Sequence, residues 1–197
     1  MVWLPGAYDA AEAFLEAGFD REVRSRALAV DLELVPLELD HVGDRSVIGQ
    51  LEREILPRAR ASGCRSIWLA GISLGGFFAL DYAATHPSDW DGLCLLAPYL
   101  GNRLLIAEIA AAPSPAAWAA GPLAELDEER RIWRFIQTLR REERPLYLGY
   151  GRNDRFAAAQ KLMAVALAAG SARAMPGGHD WRTWVLLFRD FLDSGWI

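Results

Sequence analysis

Hydrophobic positions change their spacing repeatedly along this chain, and each change marks an element. Val2-Trp3-Leu4 is a short apolar run stopped by Pro5-Gly6. Asp9 with Glu12 three residues later matches a capping box, which predicts a short helix that Gly18 can end. Asp20 to Ala29 reads as a second helical piece. Leu32 to Leu39 alternates in part, as a strand does, but holds Pro36; a proline cannot donate to a ladder, so this strand is expected at a sheet edge. Asp44 is placed to cap a helix carrying Val47, Ile48, Leu51 and Ile55 at helical spacing, and Pro57 predicts its kink or end. Ser66 to Gly71 is a strand that passes into a helical pattern, Phe77 to Ala84, stopped at Thr85-His86-Pro87.

Leu93 to Leu96 is continuously apolar, as expected of a strand buried on both faces, and Leu146 to Tyr150 reads as another. A helix from about Arg155 to Ala169 ends at Gly170, and Ala172 to Met175 makes a last strand. The closing helix sets Trp181, Trp184, Val185, Phe188, Phe191 and Leu192 on one stripe. Strands alternating with helices predict an α/β domain, a doubly wound, mostly parallel sheet covered on both faces. From about residue 101 to 144 there is no clear strand, only an Ala/Pro-rich stretch (Ala110 to Pro122) and a charged helix, Asp127 to Arg141. This part is expected to cross the C-terminal edge of the sheet as a short cap within one domain spanning residues 1–197.

Composition narrows the function classes. Apolar residues make up 52% and charged ones 24%, a globular profile, and the formal net charge of −5 offers no general attraction for nucleic acid or anionic lipid. The uncharged run from Ser66 to Leu80 is too short to span a bilayer comfortably, so no membrane partner is expected. No basic segment precedes an apolar stretch at the N-terminus, which argues against a secretory signal, and a cytoplasmic location is expected. Cys64 and Cys94 lack metal-ligand spacing, so neither a metal nor a cofactor is implied.

The candidate chemistry centres on Leu69-Ala70-Gly71-Ile72-Ser73-Leu74-Gly75-Gly76, a Gly-x-Ser-x-Gly turn between strand and helix. In such an elbow the serine hydroxyl stands clear of the backbone, and the flanking Gly71 and Gly75 avoid collisions a Cβ would cause. A serine needs a base and an orienting acid. Functional groups of open parallel sheets gather beyond the C-terminal ends of the strands. His179 follows the last strand, and an imidazole suits the base because its unperturbed pKa of about 6.5 lies near working pH. Asp154 follows the preceding strand, where its carboxylate could orient His179 and also cap the next helix. Asp180 is the rival acid, better placed to cap the closing helix. His86 reads as structural at a helix end, and His41 as a solvated loop residue able to reach the rim.

The elbow and the order Ser73, Asp154, His179 resemble the α/β-hydrolase superfamily, over nearly the whole chain. Ala84-Thr85-His86-Pro87 followed by Leu93 to Pro98 is similar to the helix end and next strand of many members. Leu4-Pro5-Gly6-Ala7 looks like the loop after the family's third strand, with Pro5 where many members have histidine. The resemblance implies six strands in the order 2-1-3-4-5-6, without the family's first two, and an oxyanion hole from the backbone N–H groups of Ala7 (or Tyr8) and Leu74. It implies a serine hydrolase acting on a small carboxylic ester or thioester, with an acyltransferase or a non-catalytic binding protein as alternatives. Tyr8, Trp118, Trp133 and Trp181 are candidate pocket walls, although an aromatic in such a chain is more often core. Oligomeric state is open.

Overall fold

The computed structural model describes residues 1–37, 46–122 and 127–197. Six strands form one sheet: β1 (Val2–Leu4), β2 (Glu33–Leu34), β3 (Trp68–Ile72), β4 (Gly92–Leu96), β5 (Leu146–Gly151) and β6 (Ala172–Met175). Every pairing is parallel and the order is β2-β1-β3-β4-β5-β6. β1, β3, β4 and β5 are buried along their whole length, which is why they read as unbroken apolar runs. The edge strand around Pro36 is shorter than expected. Its ladder ends with Val35 N–H donating to Trp3 O (2.9 Å), just before the residue that has no N–H to give. Residues 38–45, including the proposed cap Asp44 and His41, lie outside the described residues.

The strands send alternate side chains to two separate cores. On one face, Val2, Leu4, Leu69, Leu93, Leu95, Leu146 and Leu148 pack with helices α3 (Ser46–Gln50), α4 (Leu56–Ala61), α5 (Leu74–Thr85), α7 (Glu128–Leu139) and α8 (Ala157–Ala166). On the other, Trp3, Trp68, Ala70, Cys94 and Tyr147 meet α1 (Ala13–Ala17), α2 (Phe19–Ser25) and α9 (Trp181–Asp193). Trp3 sits in an aromatic nest, with Phe14, Phe19 and Phe188 at centroid distances of 5.3, 5.2 and 5.3 Å. Cys94 is packing in this core, and burial pushes its thiol pKa well above the ordinary value.

Two local expectations change. Asp9 does not cap α1; that helix begins at Ala13 without a side-chain cap, and the Asp9 carboxylate is engaged elsewhere. Gly18 does end it, at φ 90°. Pro57 does not stop its helix, which runs on to Ala61. A π-helical turn, Leu51–Ile55, joins α3 to α4, and Pro57 falls in the first turn of α4, just past the place where the ladder shifts.

The segment between β4 and β5 also holds a helix that the apolar pattern did not announce, α6 (Arg103–Ala111). Asn102 caps it by accepting from Leu104 N (2.9 Å) and Leu105 N (3.1 Å). The charged helix α7 is where it was expected, capped by Asp127 through Arg130 N (3.1 Å). It is fastened to α5 by Arg131, whose guanidinium meets the fully buried Asp81 at 2.5 and 3.1 Å. Removing the half-buried guanidinium takes a charged partner from a carboxylate that has no exposure of its own. Arg131→Met is therefore expected to lower the unfolding free energy by about 3 kcal/mol in a urea titration. No helix among the described residues is long and apolar enough to cross a membrane.

Candidate active site

The C-terminal ends of β3, β5 and β6 bring three predicted residues together. Ser73 follows β3 with φ 53° and ψ −115°, a conformation that costs an L-residue about 1–3 kcal/mol and is held from several sides. Its N–H donates to Leu96 O (3.0 Å), and its carbonyl accepts from Tyr99 N (2.9 Å) and Phe77 N (3.3 Å). The elbow glycines are there for close approach: a Cβ on Gly71 would stand 2.3 Å from the Gly75 backbone, and one on Gly75 would stand 2.1 Å from Leu4 O. The second clearance lets the start of α5 lie directly against the end of β1.

His179 Nε2 lies 2.9 Å from Ser73 Oγ, and His179 Nδ1 lies 2.7 Å from Asp154 Oδ2. An ionised carboxylate only accepts, so Nδ1 carries the proton donated to Asp154, and Nε2 is left to accept from the serine hydroxyl. The Asp154 side chain is fully buried, and its second oxygen accepts from Phe156 N (2.7 Å), which fixes its orientation. The expected capping role of Asp154 is not found: α8 begins at Ala157 without a side-chain cap, and the Asp154 carboxylate ties down the turn before it. Asp180 is turned away from the chain of hydrogen bonds. It caps α9, accepting from Thr183 N (2.9 Å) and Thr183 Oγ1 (3.0 Å).

The Thr183 N–H bond is the main cause that lowers the Asp180 carboxyl pKa from its ordinary value. A depressed folded-state pKa contributes stability above the unfolded value and loses it as pH falls through the folded one. Asp180→Ala should therefore cost about 1 kcal/mol at neutral pH, and the difference from the parent protein should shrink under acid conditions below about pH 4. Thermal unfolding at pH 7 and pH 3 checks this.

The imidazole is held edge-on between two rings that the sequence did not single out. Phe156 and Trp184 each lie 5.1 Å from it, at 85° and 89°. Phe156 follows Asp154 by two residues, and Trp184 belongs to the apolar stripe of α9; their periodicity marks them as core and says nothing of the histidine they enclose. Leu74 is the first residue of α5, so its N–H has no helical partner, and Ala7 N–H finds no acceptor among the described residues.

The four aromatic candidates separate. Trp133 is fully buried, its indole donating to Leu100 O (2.7 Å), and Trp118 is buried with its indole on Glu108 (3.0 Å). Both belong to the packing of the 102–139 segment rather than to an open pocket wall. Tyr8 is 90% exposed and stands in solvent. Trp181 lies 5.2 Å from Trp184, one ring removed from His179. His86 is structural as expected, stacked on Tyr82 at 4.2 Å. Among the described residues, no group of three or more His, Cys, Asp or Glu could hold a metal ion.

The profile of the Esterase family matches residues 49–193. Solved structures similar to this one include S-formylglutathione hydrolase from Staphylococcus aureus, at 12% identity over 98% of this chain and 78% of that one, with a TM-score of 0.66. S-formylglutathione hydrolase from Agrobacterium tumefaciens is similar at 16% identity, covering 98% and 81%, with a TM-score of 0.55. A monoacylglycerol lipase from Paleococcus ferrophilus is similar at 13%, covering 96% and 93%, with a TM-score of 0.53. No curated protein sequence matches the chain. At these identities the structural likeness establishes the fold, and it is the one that the elbow and the residue order implied.

Proposed function

Because this chain belongs to the Esterase family of the α/β-hydrolase superfamily, and so is an ester hydrolase, we propose that it cleaves carboxylic esters or thioesters through an acyl-enzyme on Ser73. The observation that carries the proposal is the single imidazole bridging Ser73 Oγ and the buried Asp154. Ser73 Oγ bonds to the acyl carbon as its proton passes to His179 Nε2, and Asp154 stabilises the imidazolium. The N–H groups of Ala7 and Leu74 receive the negative oxygen, aided by the positive end of α5. The carbon–oxygen or carbon–sulfur bond then breaks, and His179 returns the proton to the leaving alcohol or thiol. Water repeats the sequence on the acyl-serine: its proton goes to Nε2, the acid departs, and Ser73 recovers its hydrogen.

The acyl group is proposed to be uncharged. Two arginines of the 102–139 segment are neutralised internally, Arg130 by Glu108 (2.5 Å) and Arg131 by Asp81 (2.5 Å), and so are not free to recruit an anion. A panel of matched esters and thioesters is expected to show kcat/KM at least about tenfold higher for neutral than for carboxylated acyl chains. A preference for the anionic chain would reject this part of the proposal. On the best substrate, turnover should fall as the medium is acidified, since a protonated imidazole cannot accept the serine proton.

A further inference from the structure

The loop after β1 is held in place by a bond that spans almost the entire chain. Asp9 N–H donates to Gly6 O (3.2 Å), closing Gly6-Ala7-Tyr8-Asp9 as a four-residue turn. The Asp9 carboxylate folds back over that turn: a Cβ on Gly6 would stand 2.5 Å from Asp9 Oδ2 and 3.7 Å from Ser73 Cβ. Gly6 is thus wedged between the carboxylate and the serine, and the absence of a side chain there lets both approach. The other carboxylate oxygen, Oδ1, accepts from Trp181 Nε1 at 3.1 Å, across 172 positions of sequence.

Trp181 is the first residue of α9, two positions after His179. Its ring lies edge-on to Phe14 (5.3 Å) and Trp184 (5.2 Å), and Trp184 in turn lies edge-on to His179 (5.1 Å). One indole therefore touches both moving parts of the chemistry, the turn carrying Ala7 N–H and the aromatic enclosure of the base. A turn with two central N–H groups and an exposed Tyr8 has little packing of its own to fix it.

We propose that Asp9 and Trp181 are positioning residues, a brace that sets Ala7 N–H at the distance from Ser73 needed to receive the negative oxygen. The proposal rests on the reading of Ser73 as nucleophile and of Ala7 as oxyanion donor. A misplacement of about 1 Å costs on the order of a hundredfold in rate, and loss of one oxyanion donor costs a similar factor. The brace acts on the charged intermediate rather than on the bound ester, so its loss falls on kcat and spares KM.

The test uses the full chain and an activated short-chain ester, with D9A, W181F, D9N and the D9A/W181F double variant. W181F keeps the ring but loses the donor; D9N keeps an oxygen able to accept from the indole but loses the charge. D9A and W181F are each expected to lower kcat about 10- to 100-fold with KM within about threefold. The double variant should fall no further than the worse single, because both remove one bond. D9N should recover kcat to within about threefold of the parent. Affinity for a trifluoromethyl ketone, whose adduct carries the same oxyanion, should fall with kcat, which a merely structural role would not produce.

The brace is rejected if D9A leaves kcat within about threefold of the parent, if D9N is as impaired as D9A, or if the two single losses multiply. Should W181F fail to fold, D9A against D9N still decides. Labelling of the parent protein by a serine-directed phosphonate separates the two failures. Labelling at Ser73 with an unimpaired D9A removes the brace alone, whereas no labelling at Ser73 removes the reading beneath it.

Discussion

Ser73→Ala is expected to lower ester turnover by about a millionfold, to the level left by binding alone, and to abolish phosphonate labelling. Among the described residues the hydrogen-bond partner of His179 Nε2 is Ser73 Oγ, at 2.9 Å, and alanine offers it nothing to deprotonate. The substitution also isolates chemistry from folding. Alanine keeps the Cβ, so the positive φ at this position stays as costly as it is for serine. Ser73→Gly should be more stable than Ser73→Ala by about 1 kcal/mol and equally inactive. Mass spectrometry of the labelled protein, initial rates and thermal melts of the three proteins check these statements together. Hydrolysis that survives in Ser73→Ala would overturn the assignment of the nucleophile.

Asp154→Asn is expected to reduce kcat by about ten-thousandfold while leaving the protein folded. The amide oxygen can go on accepting from Phe156 N, so the turn before α8 keeps its anchor. The amide nitrogen then faces Nδ1. Being a donor, it favours the tautomer whose proton sits on Nε2, where it confronts the serine hydroxyl instead of accepting from it. Asp180→Asn is the control of opposite character: it touches a helix cap, so its effect belongs to stability and not to kcat. Steady-state kinetics on the two variants, beside their unfolding curves, distinguish the roles. Loss of turnover in folded Asp180→Asn with Asp154→Asn spared would reverse the assignment.

What the sequence disclosed follows from how local each signal is. Strands buried on both faces need continuous apolar runs, and the elbow needs glycines within a few residues of its serine, so β3, β4, β5 and the start of α5 could be read directly. The edge position of β2 followed from one proline. Asp154, the carboxylate that meets His179, was legible because it follows a strand end; Asp180, although adjacent to His179 in sequence, has the spacing of a cap.

Other features failed for equally physical reasons. Asp9 and Glu12 have capping-box spacing, but the partner that claims Asp9 is an indole 172 residues away, and no local pattern can announce it. The π-helical turn before Pro57 keeps the apolar residues on one side while shifting the ladder, which the period alone does not reveal. Aromatic residues are the hardest to divide, because Trp118, Trp133 and Trp184 are equally apolar in sequence. Only Trp184 reaches the imidazole.

The aromatic face of the sheet has a consequence for how the protein is made. Trp3, Trp68, Cys94 and Tyr147 are covered in part by α9, which is made after all six strands. At ordinary elongation rates, roughly 10 to 30 s separate Asp9 from Trp181. During that interval a nascent chain displays Ser73 on its elbow without His179, and an apolar sheet face that α1 and α2 cover only in part. On the proposed mechanism, hydrolytic competence therefore waits until His179 and α9 have been made. Stalled chains lacking α9 should be inert toward esters and should be bound by chaperones until they are completed or destroyed.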